Sequence, residues 1–251
     1  GADLNQELAN AVNANDVERI KFLIGKGADI NAPDSQGFQP LHIAARQRHE
    51  ELVKLLLTLK ADVNAVDNNG MTPLLYAVMR DYVPSIKALI ENGADIEKVG
   101  AEGYLPLSVA IAEDKFEAAK TLMDAGANIN TPAGPDGLTP LMVAASQIAP
   151  AEGAIFLPSS TRPINIAEGL IERGADINAK SKSGLTALMI AAANNNPPMI
   201  GLLIDAGADV SAKNSQGKTA ADVAQANGNA EAAQAIMVIG AAKSASGTPP
   251  K

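Results

Sequence analysis

The sequence predicts an all-α solenoid with hairpin turns, and two features carry that prediction. The first is a phrase, Gly-X-(Thr/Gln/Leu)-(Pro/Ala)-(Leu/Ala), that opens at Gly37, Gly70, Gly103, Gly137, Gly184 and Gly217, at spacings of 33, 33, 34, 47 and 33. The second is a companion phrase, Gly-Ala-(Asp/Asn)-(Ile/Val)-Asn or a near copy, that keeps step with it at Gly27, Lys60, Gly93, Gly126, Gly174 and Gly207. A unit this short cannot bury its own apolar face, so it must stack on its neighbours. Such a stack offers an extended binding surface rather than a catalytic cleft.

The elements follow in chain order. The first unit, 4–33, lacks the turn phrase but keeps two helical stretches, 6–13 and 17–24, and is expected to cap the N-terminal end. Repeat 34–66 shows the full plan. Gly37 supplies a turn needing positive φ, and Pro40 stands in the first turn of a helix, where its missing N–H costs nothing. Leu41, Ile43, Ala44 and Ala45 make a short helix whose alanines admit a close neighbour. A polar turn around Arg48 and His49 follows, and then Leu52, Val53, Leu55, Leu56 and Leu57 form the apolar face of a second helix. That helix ends near Lys60, a glycine in the other copies, as a left-handed C-terminal cap requires.

Repeats 67–99, 100–132 and 181–213 keep this plan, while 133–180 is longer because the spacing of 47 exceeds 33 by 14. Its first helix ends near Gln147-Ile148 and its second resumes near Pro163, which places an inserted loop at 149–162. The unit 214–240 carries a weaker helix rich in Ala and Gln, as a wetter C-terminal cap should. Residues 241–251 are small, polar and proline-ended and read as a flexible tail to a single domain, 1–240.

The first-helix phrases are Gln39-Pro40-Leu41-His42-Ile43-Ala44-Ala45, Thr72-Pro73-Leu74-Leu75-Tyr76-Ala77, Leu105-Pro106-Leu107-Ser108-Val109-Ala110, Thr139-Pro140-Leu141-Met142-Val143-Ala144-Ala145 and Thr186-Ala187-Leu188-Met189-Ile190-Ala191-Ala192. Over 4–239 this pattern resembles the ankyrin repeat. The resemblance implies helix–turn–helix units joined by β-hairpin turns and capped at both ends. It also implies a binding role without catalysis. His42 fills the signature's polar slot, where a side chain ties one hairpin to the next. Short cysteine-free bacterial ankyrin proteins of the exported kind look similar to this chain, and some of them accompany periplasmic catalases.

Composition narrows the partners. The 251 residues carry a net charge of −8 and a pI of about 4.8, and the Lys and Arg residues are scattered among more numerous acids. Nucleic acid is therefore an unsuitable partner, as is an anionic membrane surface. No run approaches the ~18 apolar residues of a membrane span. There is no cysteine, so disulfides and thiolate metal sites are excluded. That absence leans towards a bacterial periplasmic or secreted chain, with the cytoplasm as the alternative. Gly1-Ala2-Asp3-Leu4 reads as the start of a mature chain.

Two places stand out as candidate sites. The residues following the turn glycines, Phe38, Met71, Tyr104, Leu138 and Leu185, are expected to align as an apolar row on the concave face. Val66, Val99 and Met79 should lie nearby, with Arg46, Arg80, Glu102 and Glu113 as polar rim. The competing expectation is that neighbouring hairpins pack these side chains on each other. The inserted loop adds Ile155, Phe156 and Leu157, an apolar triplet that either meets a partner or folds back over the next repeat.

Chemistry is poorly provided for. The two histidines, His42 and His49, are too few for metal or haem ligation, and no cofactor is expected. Neither a nucleophile elbow nor a phosphate-cradling loop is present, and Ser159, Ser160 and Thr161 have no histidine within the insertion. Asp29, Asp62, Asp95 and Asp176 recur with the repeat and are read as structural. The leading expectation is a non-catalytic scaffold that binds a folded protein partner. Two alternatives are a small-molecule or lipid carrier with a pocket under 149–162, and an accessory factor for a periplasmic enzyme such as a catalase.

Overall fold

The computed structural model describes residues 3–147 and 162–246. Their packing gathers into two compact units, Gly1–Ala127 and Asn128–Lys251. In the first, helix pairs follow one another: α1 (Leu4–Asn13) with α2 (Val17–Gly25), α3 (Pro40–Arg46) with α4 (Glu50–Thr58), α5 (Pro73–Met79) with α6 (Val83–Glu91), and α7 (Pro106–Ala112) with α8 (Phe116–Asp124). First helices pack in a row, α1 on α3 on α5 on α7, and second helices in another, α4 on α6 on α8. The second unit repeats the arrangement with α9 (Pro140–Ser146), α10 (Arg162–Glu172), α11 (Ala187–Ala193), α12 (Pro197–Asp205), α13 (Ala220–Ala226) and α14 (Ala230–Ser246). Among the described residues all regular structure is helical, as the sequence predicts.

The first helices are short for identifiable reasons. Thr72, Thr139 and Thr186 accept the N–H three residues on (3.2, 3.3 and 3.3 Å), and Pro40, Pro73, Pro106 and Pro140 stand at the first helical position. Two residues past the end the chain turns through left-handed backbone, at Arg48, Asp81, Asp114 and Asn195. Ala44, Ala77, Ala110, Ala144 and Ala191 are fully buried, and their small size lets successive first helices approach closely. On the second helices Leu52, Leu56, Ile86, Leu89 and Leu122 fill the core at helical spacing. Each of these helices ends in left-handed backbone that only glycine adopts without strain. Lys60 does so with φ of 70°, where Gly27, Gly93, Gly126, Gly174 and Gly207 serve in the other copies.

The hairpins form as tight closed turns rather than paired strands. Asp34 N–H donates to the Phe38 carbonyl (3.0 Å), and the same closure recurs from Asp67 to Met71, Ser181 to Leu185 and Asn214 to Lys218. The return bond of a strand pair is pre-empted by a side chain. Asp34 Oδ1 takes the N–H of Phe38, Asp67 Oδ1 that of Met71 and Asn214 Oδ1 that of Lys218. Ala133 has no such oxygen, and there Leu138 N–H returns to the Ala133 carbonyl (3.0 Å) and makes an isolated antiparallel bridge. Turns also tie to turns. Asn68 N–H donates to the Gln36 carbonyl (3.0 Å), so close to Gly37 that a β-carbon there would lie 2.6 Å from Asn68 Oδ1.

Within each unit, asparagines stitch one repeat to another. Asn31, Asn64, Asn130 and Asn178 accept the N–H of Asp62, Asp95, Asp176 and Asp209, each at 2.8 Å. Their Nδ2 groups donate to the carbonyls of Lys60, Gly93, Gly174 and Gly207 (3.5, 3.1, 3.3 and 3.2 Å) and so satisfy helix-end oxygens. The recurring aspartates complete the motif: Asp29, Asp62, Asp95 and Asp176 each accept an N–H two residues on.

At the C-terminal end α14 runs six residues beyond 240, through part of the segment the sequence reading assigns to a tail. Gly240 does not stop it. A β-carbon at Gly240 would sit 3.4 Å from Val210 Cγ1, so the glycine lets the helix lie close to its neighbour. Lys243 Nζ then donates to the Ile204 carbonyl (2.8 Å) and pairs with Asp205 (3.1 Å).

Candidate functional site

The residues that follow the turn glycines are placed by the turns themselves, and this decides how much of each side chain remains for a partner. Met71 is fixed on both sides of its backbone. Its N–H donates to Asp67 Oδ1 (2.9 Å), and its carbonyl accepts from His42 Nε2 (3.0 Å). His42 Nδ1 accepts the Gln39 N–H (3.0 Å), so the fully buried ring is neutral with its proton on Nε2. Burial pulls the His42 pKa below its ordinary value, against the opposing pull of the Met71 carbonyl and of the Asp67 charge. One histidine thereby ties its own helix start to the next turn, which is the role the polar slot implies.

Around this tie three rings pack together. Phe38 lies 5.5 Å from Tyr76 at 39° and meets His42 edge-on at 6.0 Å, and His42 meets Tyr76 edge-on at 6.0 Å. The Tyr76 hydroxyl donates to Asp67 Oδ2 (2.6 Å). Burial, and then that bond to a carboxylate, raises the phenol pKa well above its ordinary value. Tyr76 and Asp67 are absent from the sequence-based list of site residues. The signal for them was a tyrosine one turn into a first helix, downstream of an aspartate that opens the preceding hairpin.

Phe38 consequently differs from the expected solvent-facing row: it is only 9% exposed and serves as a core ring between two repeats. Met71, Tyr104, Leu138 and Leu185 are half-buried. At Phe38, packing against the rings of His42 and Tyr76 on α3 and α5 decides the matter. Val66 (47%), Val99 (54%) and Met79 (39%), expected near that row, are well exposed. Arg46, Arg80, Glu102 and Glu113 are exposed as well. Phe38, Val66, Met71, Met79, Arg80, Val99 and Tyr104 belong to the first unit, and Leu138 and Leu185 to the second. Ile155, Phe156 and Leu157 lie outside the described residues. Exposed Phe22, on α2, and Met237 and Val238, on α14, were not among the expected site residues.

Two open cavities occur in the first unit. One of about 490 Å³ lies between α6 and α8 and is lined by Lys87, Glu91, Glu117, Lys120 and Asp124 among others. The other, of about 320 Å³, lies beside Arg48, His49, Glu50 and Tyr82. Among the described residues no three His, Asp or Glu side chains gather as metal ligands would, and no helix is long and apolar enough to cross a membrane.

A family model described as ankyrin repeats in three copies matches residues 8–100 and 159–245. Among solved structures, the crystal structure of the human ASB11 ankyrin repeat domain is similar over 92% of this chain and 96% of that one, with 28% identity and a TM-score of 0.75. The ankyrin repeat domain of Bcl-3, a member of the IkappaB protein family, is similar over 91% of this chain and 97% of that one. Its identity is 24% and its TM-score 0.76, a likeness of fold. No curated protein matches the sequence.

Proposed function

The chain belongs to the ankyrin-repeat family, and from that premise we propose that it is a non-catalytic scaffold that docks a folded protein partner on the turns and first helices of its N-terminal unit. Ankyrin repeat domains generally mediate protein–protein interactions. The observation that carries the choice of face is the exposure of three large apolar side chains there. Val66 and Val99 hold matching positions in successive turns, and Met79 ends the first helix that lies between them in sequence. A backbone held by the asparagine and turn bonds loses little conformational freedom on docking.

The test is a comparison of proteins captured by the intact chain and by a Val66→Ser/Met79→Ser/Val99→Ser variant, from an extract of the source organism, with the bound fraction identified by mass spectrometry. We expect at least one protein held by the wild type to be lost from the triple variant and kept by a Phe22→Ser control. Identical bound fractions from all three proteins would overturn the reading.

A further inference from the structure

We propose that the partner segment seated beside α3 and α5 is acidic and is read by Arg46 and Arg80; the inference rests on the protein-docking reading above. The chain is acidic overall, yet three of its arginines, Arg46, Arg48 and Arg80, stand at or just past the C-terminal ends of two adjacent first helices. The Arg46 guanidinium lies 5.1 Å from the centre of the Phe38 ring, which itself packs on Tyr76. Tyr76, Met79 and Arg80 are three and four residues apart on α5 and therefore share a face. Arg46 thus covers the ring pair on the Phe38 side, and Met79 and Arg80, at and just past the end of α5, lie one turn on from Tyr76.

Both cations are unspent. Among the described residues neither Arg46 nor Arg80 has an ion-pair partner, whereas Arg19 pairs with Glu7 and Lys54 with Glu50. The aspartates that open the two neighbouring turns, and Asp81 beside Arg80, are already hydrogen-bonded, and Glu50 and Glu51 face Lys54. Asp34 accepts from Gln36 and Phe38, Asp67 from Asn69, Met71 and Tyr76, and Asp81 from the Ala118 N–H. Glu113, which holds the position of Arg80 one repeat on, marks where the basic stretch ends. A guanidinium stacked on a ring keeps its N–H edge outward, in the fork geometry that takes a carboxylate through two bonds. Charge complementarity therefore selects an acidic segment, and Met79 asks that it carry an apolar side chain as well.

A random peptide library displayed on phage, selected on the full chain, tests this. Enriched peptides should be richer in Asp and Glu than the starting library. One of them, fluorescein-labelled and titrated by anisotropy, should bind the Arg46→Gln/Arg80→Gln protein about tenfold more weakly. A Lys87→Gln/Lys120→Gln control removes the same charge from second helices α6 and α8 and should bind as the wild type does. Melting followed by circular dichroism verifies that all three proteins are equally folded. Enrichment without acidic bias, or a bias that survives in the arginine variant, overturns the inference while leaving protein docking in place. No enrichment over bare support likewise overturns the acidic segment, while the docking of a folded partner stands or falls with the capture experiment above. Sedimentation with phosphatidylserine vesicles that depends on Arg46 and Arg80, with no peptide bound there, overturns the acidic segment in favour of a membrane.

Discussion

His42 concentrates in one side chain much of what links neighbouring repeats. It accepts a backbone N–H at Nδ1 and donates at Nε2, an arrangement that exists only while the ring is neutral. Protonation would turn Nδ1 into a donor facing another donor, the Gln39 N–H. In the unfolded chain the ring titrates near its ordinary value of 6.5, whereas in the folded protein burial holds its pKa lower. Above the unfolded value both states are neutral and the tie contributes fully. As pH falls from there through the lower folded value, the unfolded chain takes up a proton that the native state resists, and stability is lost. We therefore expect the urea midpoint of the wild type to fall between about pH 7 and about pH 5. The His42→Gln variant should be less stable at neutral pH and show a shallower dependence. Equal slopes in wild type and His42→Gln would refute the assignment.

At the scale of the element, sequence signals succeeded where they act locally. Proline at the first helical position, threonine before it and glycine after the second helix each fix a terminus through backbone chemistry that one residue decides. Phe38 was misplaced because its burial is set by Tyr76 from the next repeat, and no reading of the turn phrase contains that ring. The hairpin closures depend on a competition that residue names reveal only once geometry is known: Asp34 and Asp67 capture an N–H that Ala133 leaves to the backbone. Helix α14 shows a third kind of limit. The residues past 240 read as a tail, yet close packing of Gly240 on Val210 and the Lys243 bond to the Ile204 carbonyl carry the helix onward. Removal of residues 241–251 should consequently destabilise the C-terminal unit by about 0.5–1 kcal/mol, a small amount because the Lys243–Asp205 pair is substantially exposed. Differential scanning calorimetry of the shortened chain measures this. A frayed tail would leave the melting temperature unchanged.

Across the whole molecule, the repeats read as one domain with a single inserted loop, and the packing gathers into Gly1–Ala127 and Asn128–Lys251. Stability in a repeat protein is close to a sum of local terms, so damage to one stretch should be felt there first. The chain supplies its own reporters for this. Tyr76, Tyr82 and Tyr104 are its only tyrosines and all lie before Asn128, and there is no tryptophan. Tyrosine emission therefore follows the N-terminal unit alone, while far-ultraviolet circular dichroism follows the helices of both. Asn178→Ala removes an acceptor for the Asp209 N–H and a donor to the Gly207 carbonyl. Loss of the two should cost about 1–3 kcal/mol. In urea, that variant should lose part of its helical signal at lower denaturant than the wild type while its tyrosine transition stays in place. Asn64→Ala, which breaks the corresponding bonds to Asp95 and Gly93, should instead move the tyrosine transition. If both probes shift together in both variants, the chain unfolds as one cooperative block, and the division at residue 127 describes its packing without describing its stability.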